Sequence, residues 1–561
     1  MSEQYHVLPN HDYEGDGDVE LGNKTSAFKP VKSSGHTSVG TIKDVDDDDA
    51  TERSSDASEL DIDLKDTKSV SQAGNGGNDL LGLTEDSTSI EKLVVITKQS
   101  FPVIVSFFLG LGGAFINLMF AGRFVPVPDD EVMHGDRSII FAGVSLANMF
   151  VSVSCLSLLI GMSGAIETLG SQHNGAGNYR EVGLVLQRSF AILTTMCLPI
   201  FVMWYFVYDL YRLLGVEHAV CVVVQRFIFI RALSVPCDVV NESYEKYAMS
   251  IGVVDPSMWG NITFNVLIFA FNCLFIFGFK LTYEWLAVSW VLASYLSFGL
   301  QLWLSKRHVA VQRTEIDWDW GAWQNWSEFI SLGLPGTVML CSEWWAFECL
   351  TIFSTFLGTA QVAAQTIIMQ IASLAFMIPL GIGITCASFV GNAIGASEVP
   401  LAKQIGKLCL AYAAVINVLL GVLILFGGPA FVSIFTSHPV VRDVVESAIP
   451  FLSLFIMIDG LQGVASGVLR GAGKQVLGAV ANVFAYYGFG LPMAWVICFQ
   501  LHYGVDGLIM GLATGSLCQV SVLFVVIFCF ETYLFSSSIS NGNNDNNNDN
   551  NSNNNNNNNN N

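Results

Sequence analysis

Cys341-Ser342-Glu343-Trp344-Trp345-Ala346-Phe347-Glu348-Cys349 sets two carboxylates inside an apolar segment that runs from about Ser331 to Leu357. A segment of that length and character predicts a membrane-spanning helix, and an ionised Glu near its centre opposes insertion by about 2.5–3.5 kcal/mol. Side chains carrying that cost face a protein interior or a water-filled cavity rather than lipid, which makes both acids functional candidates. Five residues along a helix advance about 500°, leaving Glu343 and Glu348 roughly 140° apart, so they need not share a pocket. Glu343 shares a face with Phe347, and Trp344 with Glu348, because residues four apart are neighbours.

The whole chain has the same apolar character. Of 561 residues, 52% are hydrophobic and 13% charged, a composition that predicts a polytopic membrane protein. The net charge of -22 is concentrated at the start: residues 1–92 hold 21 acidic and 8 basic side chains. That acidic, Ser-, Asp- and Asn-rich stretch is expected to be a disordered cytosolic tail without a cleavable signal. The Asn-rich segment 536–561 is expected to be disordered as well. The 12 Cys show no C-x-x-C spacing, so inert buried thiols are expected, with no metal site and no cofactor. No intramembrane His stands with a nucleophile, which argues against a membrane hydrolase, and nothing suggests a nucleic-acid partner.

Apolar segments recur at about 99–122, 138–165, 183–208, 217–240, 257–279, 285–304, 328–357, 361–388, 404–427, 440–466, 475–499 and 506–530, predicting twelve transmembrane helices. With both termini cytosolic, the cytosolic connections carry Arg180, Arg188, Lys246, Lys306, Arg307, Arg313, Lys403, Lys407, Arg470 and Lys474. The other face carries only Arg123, Arg137, Arg212, Lys280 and Arg442, and the loop from Val127 to Arg137 is acidic, so the positive-inside rule favours cytosolic ends.

Sliding the chain over itself by 220 positions lays Gly175-Ala176 on Gly395-Ala396, Gln172 on Asn392, Met149 on Met369 and His218 on His438. A shift of six helices preserves sidedness, so two six-helix lobes of parallel topology are expected, at 93–310 and 311–535, with a site between them that opens by rocking.

The ordered motifs resemble the eukaryotic branch of the multidrug and toxic compound extrusion (MATE) transporters. They are Ala142-Gly143-Val144-Ser145-Leu146-Ala147-Asn148, Glu167-Thr168-Leu169 with Ser171-Gln172, Val185-Leu186-Gln187-Arg188-Ser189, Cys341 to Glu348, Val390-Gly391-Asn392-Ala393-Ile394-Gly395-Ala396, Gly467 to Gly473, and Tyr486-Tyr487-Gly488-Phe489-Gly490-Leu491-Pro492. The resemblance covers about residues 95–530. It implies a V-shaped central cleft between the lobes and antiport of organic cations or xenobiotics against protons or sodium, with the proton typical of eukaryotic members. It matches Glu343 and Glu348 to the seventh-helix acids and Asp459 to a tenth-helix acid. Three positions depart from the pattern: Gln370 replaces an eighth-helix acid, Phe347 a common Tyr, and Phe389 an Arg.

Glu343 is therefore expected to be the main exchange acid, alternately binding a proton and a cation, with Glu348 and Asp459 adding negative field or taking a second proton. Trp344 and Phe347 are candidates for stacking on a cation, worth about 0.5–2 kcal/mol when desolvated. Gln172 and Asn392, beside the Gly-Ala turns, are expected to hydrogen-bond a helix end, and Glu167 to serve gating or structure. A lipid-linked oligosaccharide flippase of related architecture is the alternative, although its pyrophosphate cargo would need a basic cleft and this one is acidic. The plasma membrane or an endolysosomal or vacuolar membrane is expected.

Overall fold

The computed structural model describes residues 83–126, 137–435 and 438–529. The expected acidic tail up to residue 82, most of the Val127–Arg137 loop and the Asn-rich segment lie outside the described residues.

The first lobe is built from α1 (Ser89–Arg123), α2 (Arg137–Gly175), α3 (Tyr179–Tyr205), α4 (His218–Ser250), α5 (Asp255–Gly278) and α6 (Glu284–Ser305). The second comprises α7 (Trp326–Thr355), α8 (Thr359–Gly395), α9 (Val399–Phe435), α10 (Pro439–Gly471), α11 (Gln475–Gln500) and α12 (Gly504–Cys529). Eleven of them are long and apolar enough to cross a membrane. The remaining one is α7, whose 30 residues span about 45 Å. Glu343, Glu348 and the paired tryptophans dilute its apolar character without shortening it. Among the described residues the protein is thus an all-α, multi-pass membrane protein with twelve long helices in two six-helix lobes.

Several helices outrun their apolar stretches. α1 begins at Ser89, where Thr88 and Glu91 form a reciprocal capping box that satisfies two otherwise orphaned N–H groups. α4 continues to Ser250, beyond the expected end near residue 240. Its last turns carry Asp238, Glu242, Glu245 and Lys246, so hydropathy falls, yet the helix persists while Asp238 pairs with Arg231, Glu242 accepts from Ser163 and Lys246 pairs with Glu167 inside the protein. Lys246, expected in a cytosolic connection, is only 3% exposed within α4.

Leu83 and Ile96 at the start share one apolar cluster with Leu523 and Ile527 at the end, so both ends of the bundle lie on one face, here the terminal face. On that face the lobes touch. Val103, Met249 and Val254 of the first lobe pack with Ile384 of the second. Toward the far face, the second lobe's core of Leu350, Ile368, Leu452 and Leu508 contains no first-lobe residue. The lobes therefore close at the terminal face and part toward the other, leaving a V-shaped cleft.

The seal repeats itself across the two halves. A Cβ on Gly175 would stand 2.0 Å from the Asn392 carbonyl oxygen, and one on Gly395 would stand 1.9 Å from that of Gln172. No other residue fits either place. Exchanging the halves by the 220-residue shift, Gly175 for Gly395 and Asn392 for Gln172, turns one contact into the other, so the lobes are related by a parallel repeat whose pseudo-twofold axis runs through this seal.

Candidate functional site

Glu343 lies on α7 at 7% exposure and Asp459 on α10 at 4%. Gln462, one turn beyond Asp459, donates from Nε2 to Glu343 Oε2 at 2.8 Å. Asp459 Oδ1 accepts from Ser516 Oγ of α12 at 3.2 Å and from Tyr486 Oη of α11 at 3.5 Å. The pocket is thus made by four helices of the second lobe. Among the described residues, neither carboxylate forms an ion pair. Their donors are neutral amides and hydroxyls, which stabilise a carboxylate without cancelling its charge.

The two α7 acids face different surroundings. Thr337 and Cys341 touch α2, at Gly161 and at Ser157 Oγ respectively. Trp344 and Glu348 continue that stripe at helical spacing toward the far face, beyond the stretch of α2 that α7 touches. They consequently front the cleft, while Glu343 turns into the second lobe. Glu348 is half-buried and makes no hydrogen bond among the described residues. Phe347 packs edge-on to Tyr486 and Phe455, with ring centroids 6.1 and 6.3 Å away, and so buttresses the Glu343–Asp459 pocket from within the core. Trp345 is 44% exposed on the helix's opposite side.

A second constellation sits at the seal. Lys246 Nζ of α4 lies 2.6 Å from Glu167 Oε1 of α2, both buried, and Arg470 of α10 reaches Glu167 Oε2 at 3.5 Å from the other lobe. Around this triad, carbonyls at the helix ends accept from side chains across the lobe boundary. Thr168 Oγ1 donates to the Arg470 carbonyl at 2.7 Å and Gln172 Nε2 to that of Gly471 at 3.1 Å. In return Ser388 Oγ donates to the Met249 carbonyl at 2.9 Å and Asn392 Nδ2 to that of Ser250 at 3.0 Å. Asn174 Nδ2 also donates to Asn392 Oδ1 at 2.7 Å.

The structure therefore unites Glu343 with Asp459, sets Glu348 and Trp344 on the cleft wall, and collects Glu167, Gln172 and Asn392 at the seal. Sequence reasoning passed over Gln462, Ser516, Lys246, Thr168 and Ser388. Gln462 was discoverable, being an amide one turn from an intramembrane Asp. Ser516 carries no such signal, since a hydroxyl in an apolar helix commonly bonds its own backbone.

Among protein families, the MatE model matches residues 102–274 and again 335–496, one match in each lobe. An uncharacterized transporter of Schizosaccharomyces pombe is 30% identical over 383 residues, which is 67% of this chain and 70% of that one. Multidrug and toxin extrusion protein 2 of Mus musculus is 32% identical over 378 residues, 66% of this chain and 64% of its own. In structure, the eukaryotic MATE transporter AtDTX14 aligns with a TM-score of 0.72 at 23% identity, covering 80% of this chain and 98% of that one. An outward-facing multidrug resistance MATE family transporter aligns with a TM-score of 0.69 at 17% identity, covering 84% and 100%.

Proposed function

Because this chain belongs to the MATE family of membrane transporters, we propose that it is a secondary active exporter that exchanges organic cations or other xenobiotics for protons by alternating access. The pair Glu343 and Asp459 carries the proposal: two buried carboxylates, hydrogen-bonded by Gln462, Ser516 and Tyr486, with no counter-ion among the described residues. An isolated buried charge is costly, and either a proton or a cation removes the cost. One site then serves both ligands in turn. Protonation of Glu343 releases the cation, deprotonation restores the charge that attracts the next, and their competition couples the two fluxes.

Glu348 and Trp344, on the cleft wall, guide the cation toward that pocket by negative field and by the face of the indole. Phe347 acts indirectly, by holding Tyr486. The terminal face is the cytosolic one, as the distribution of Lys and Arg favours. The cleft then opens away from the cytosol, the state in which cargo leaves and protons enter. Inward opening requires Glu167 to part from Arg470, and Gln172 and Asn392 to release the opposite lobe. Each ligand drives that change only through its differential affinity for the two states. The plasma membrane or an endolysosomal or vacuolar membrane suits an exporter of this kind.

Uptake of a fluorescent organic cation into reconstituted vesicles, driven by an imposed pH gradient, tests the proposal, with a sodium gradient as the second arm. Wild-type transport should follow the pH gradient, and Glu343→Gln at matched protein density should abolish it. Transport that ignores the pH gradient would overturn proton coupling, and near-normal uptake by the variant would overturn the role of Glu343.

A further inference from the structure

Away from the cleft, the first lobe holds a cavity of about 320 Å³ between α3, α4, α6 and the segment that links the lobes. Leu186, Val240, Phe298 and Leu302 give it apolar walls, and Ile316 and Trp318 of the linker border it. Tyr244 lines the cavity at 6% exposure, with a hydroxyl that makes no close hydrogen bond among the described residues. A buried phenol normally finds a partner, and the neighbouring Ser305 hydroxyl, already donating to the Gln301 carbonyl at 2.8 Å, engages it only weakly, so a ligand acceptor can claim this donor. Lys306 and Glu315 also line the cavity, paired at 2.7 Å with about half of each side chain exposed. An ion pair so exposed contributes little to stability, which leaves both charges free to engage a ligand's head group.

We propose that this cavity binds a single-chain, zwitterionic lipid. The chain lies against the apolar walls, an ester carbonyl accepts from the Tyr244 hydroxyl, and the phosphate and ammonium of the head group meet Lys306 and Glu315 at the mouth. The volume decides for one chain: it stands at the small end of the range of about 300–1,000 Å³ for small-molecule sites. The cavity also touches the connection between the lobes. Gln187 donates to the carbonyls of Ile316 and Asp317 at 3.3 and 3.0 Å and accepts from the Asp319 N–H at 2.9 Å, clamping the linker onto α3. Tyr247 hydrogen-bonds Thr314 beside it. An occupant would therefore touch the linker and the first lobe at once.

A lysophosphatidylcholine carrying a diazirine on its acyl chain tests the proposal with the full chain in phosphatidylcholine nanodiscs. After photolysis, the label should saturate and concentrate in peptides covering 183–190, 240–247 and 298–302. Val240→Phe and Leu186→Phe each fill the cavity and should remove that label. Tyr244→Phe should lower half-saturation affinity about fivefold. Glu343→Gln should leave labelling unchanged, which separates this site from the transport pocket. Unlabelled lysophosphatidylcholine should compete. Competition by a single-chain alkylammonium alone, non-saturating label spread over lipid-facing helices, or full labelling of both filled variants in monodisperse form would each overturn the proposal.

Discussion

Gln172 and Asn392 stand 220 positions apart, and each caps the other's lobe: Gln172 donates to the Gly471 carbonyl of α10, and Asn392 to the Ser250 carbonyl of α4. Each lobe's freed helix end is completed by the other lobe. Separation at the terminal face therefore uncovers buried carbonyls in both halves at once, which makes the seal cooperative.

Glycine at the seal is a requirement of that closeness. Gly395→Ala pushes a Cβ to 1.9 Å from the Gln172 carbonyl oxygen, whereas a Cβ at Gly164 meets nothing within 4 Å. Gly395→Ala is expected to hold the terminal face ajar and Gly164→Ala to be silent. Alkylation of a Ser388→Cys reporter by a membrane-impermeant maleimide, applied at the terminal face, measures this. Equal reactivity in the two backgrounds would refute it.

Breaking the buried Lys246–Glu167 pair from one side leaves a charge with only the longer Arg470 contact at 3.5 Å. Lys246→Met is expected to cost about 3–5 kcal/mol, and Lys246→Met with Glu167→Leu to recover most of that loss, because a buried pair exchanges with apolar residues at little net cost. Thermal unfolding in detergent micelles reports both, and a double variant no better than the single one would count against the pair as the source.

The Gln462–Glu343 hydrogen bond has the same asymmetry on a smaller scale. Gln462→Leu strands one carboxylate oxygen in the core and is expected to destabilise by about 1–3 kcal/mol. Adding Glu343→Leu removes the stranded group, so the double variant should be nearer wild type than Gln462→Leu. A double-mutant cycle on unfolding midpoints gives the coupling, and simple additivity would show that the two side chains do not interact.

At the linker, the Gly321 N–H and then the Arg180 guanidinium hold the Asp319 carboxyl below its ordinary range. A depressed folded value means that the carboxylate's contribution is complete above the ordinary carboxylate range and is lost as pH falls through the folded value. Hydrogen-exchange protection at Gly321 should accordingly be constant from neutral pH down to about pH 5 and fall in stronger acid. Asp319→Asn should remove the acid-sensitive part, and an identical acid profile in that variant would assign the effect elsewhere.

Much of the architecture follows from local chemistry that a sequence displays. Twelve apolar stretches, the Gly-Ala turns repeated at a fixed interval, and carboxylates in hydrocarbon all depend on residue type and spacing, and α7 carries Glu343 and Glu348 on different faces because helical geometry alone requires it. The ends of α1 and α4 were hidden for the opposite reason: Thr88 with Glu91, and Lys246 with Glu167, hold helix where hydropathy has already fallen. Only the tertiary structure decided which acids share a pocket. Glu343 meets Gln462 across 119 positions and Asp459 meets Ser516 across 57, distances over which no periodicity carries information. Likewise the sequence determined that Gln172 and Asn392 are equivalent, whereas their capping of opposite lobes depends on the two halves being pressed together, a property of packing that neither half contains alone.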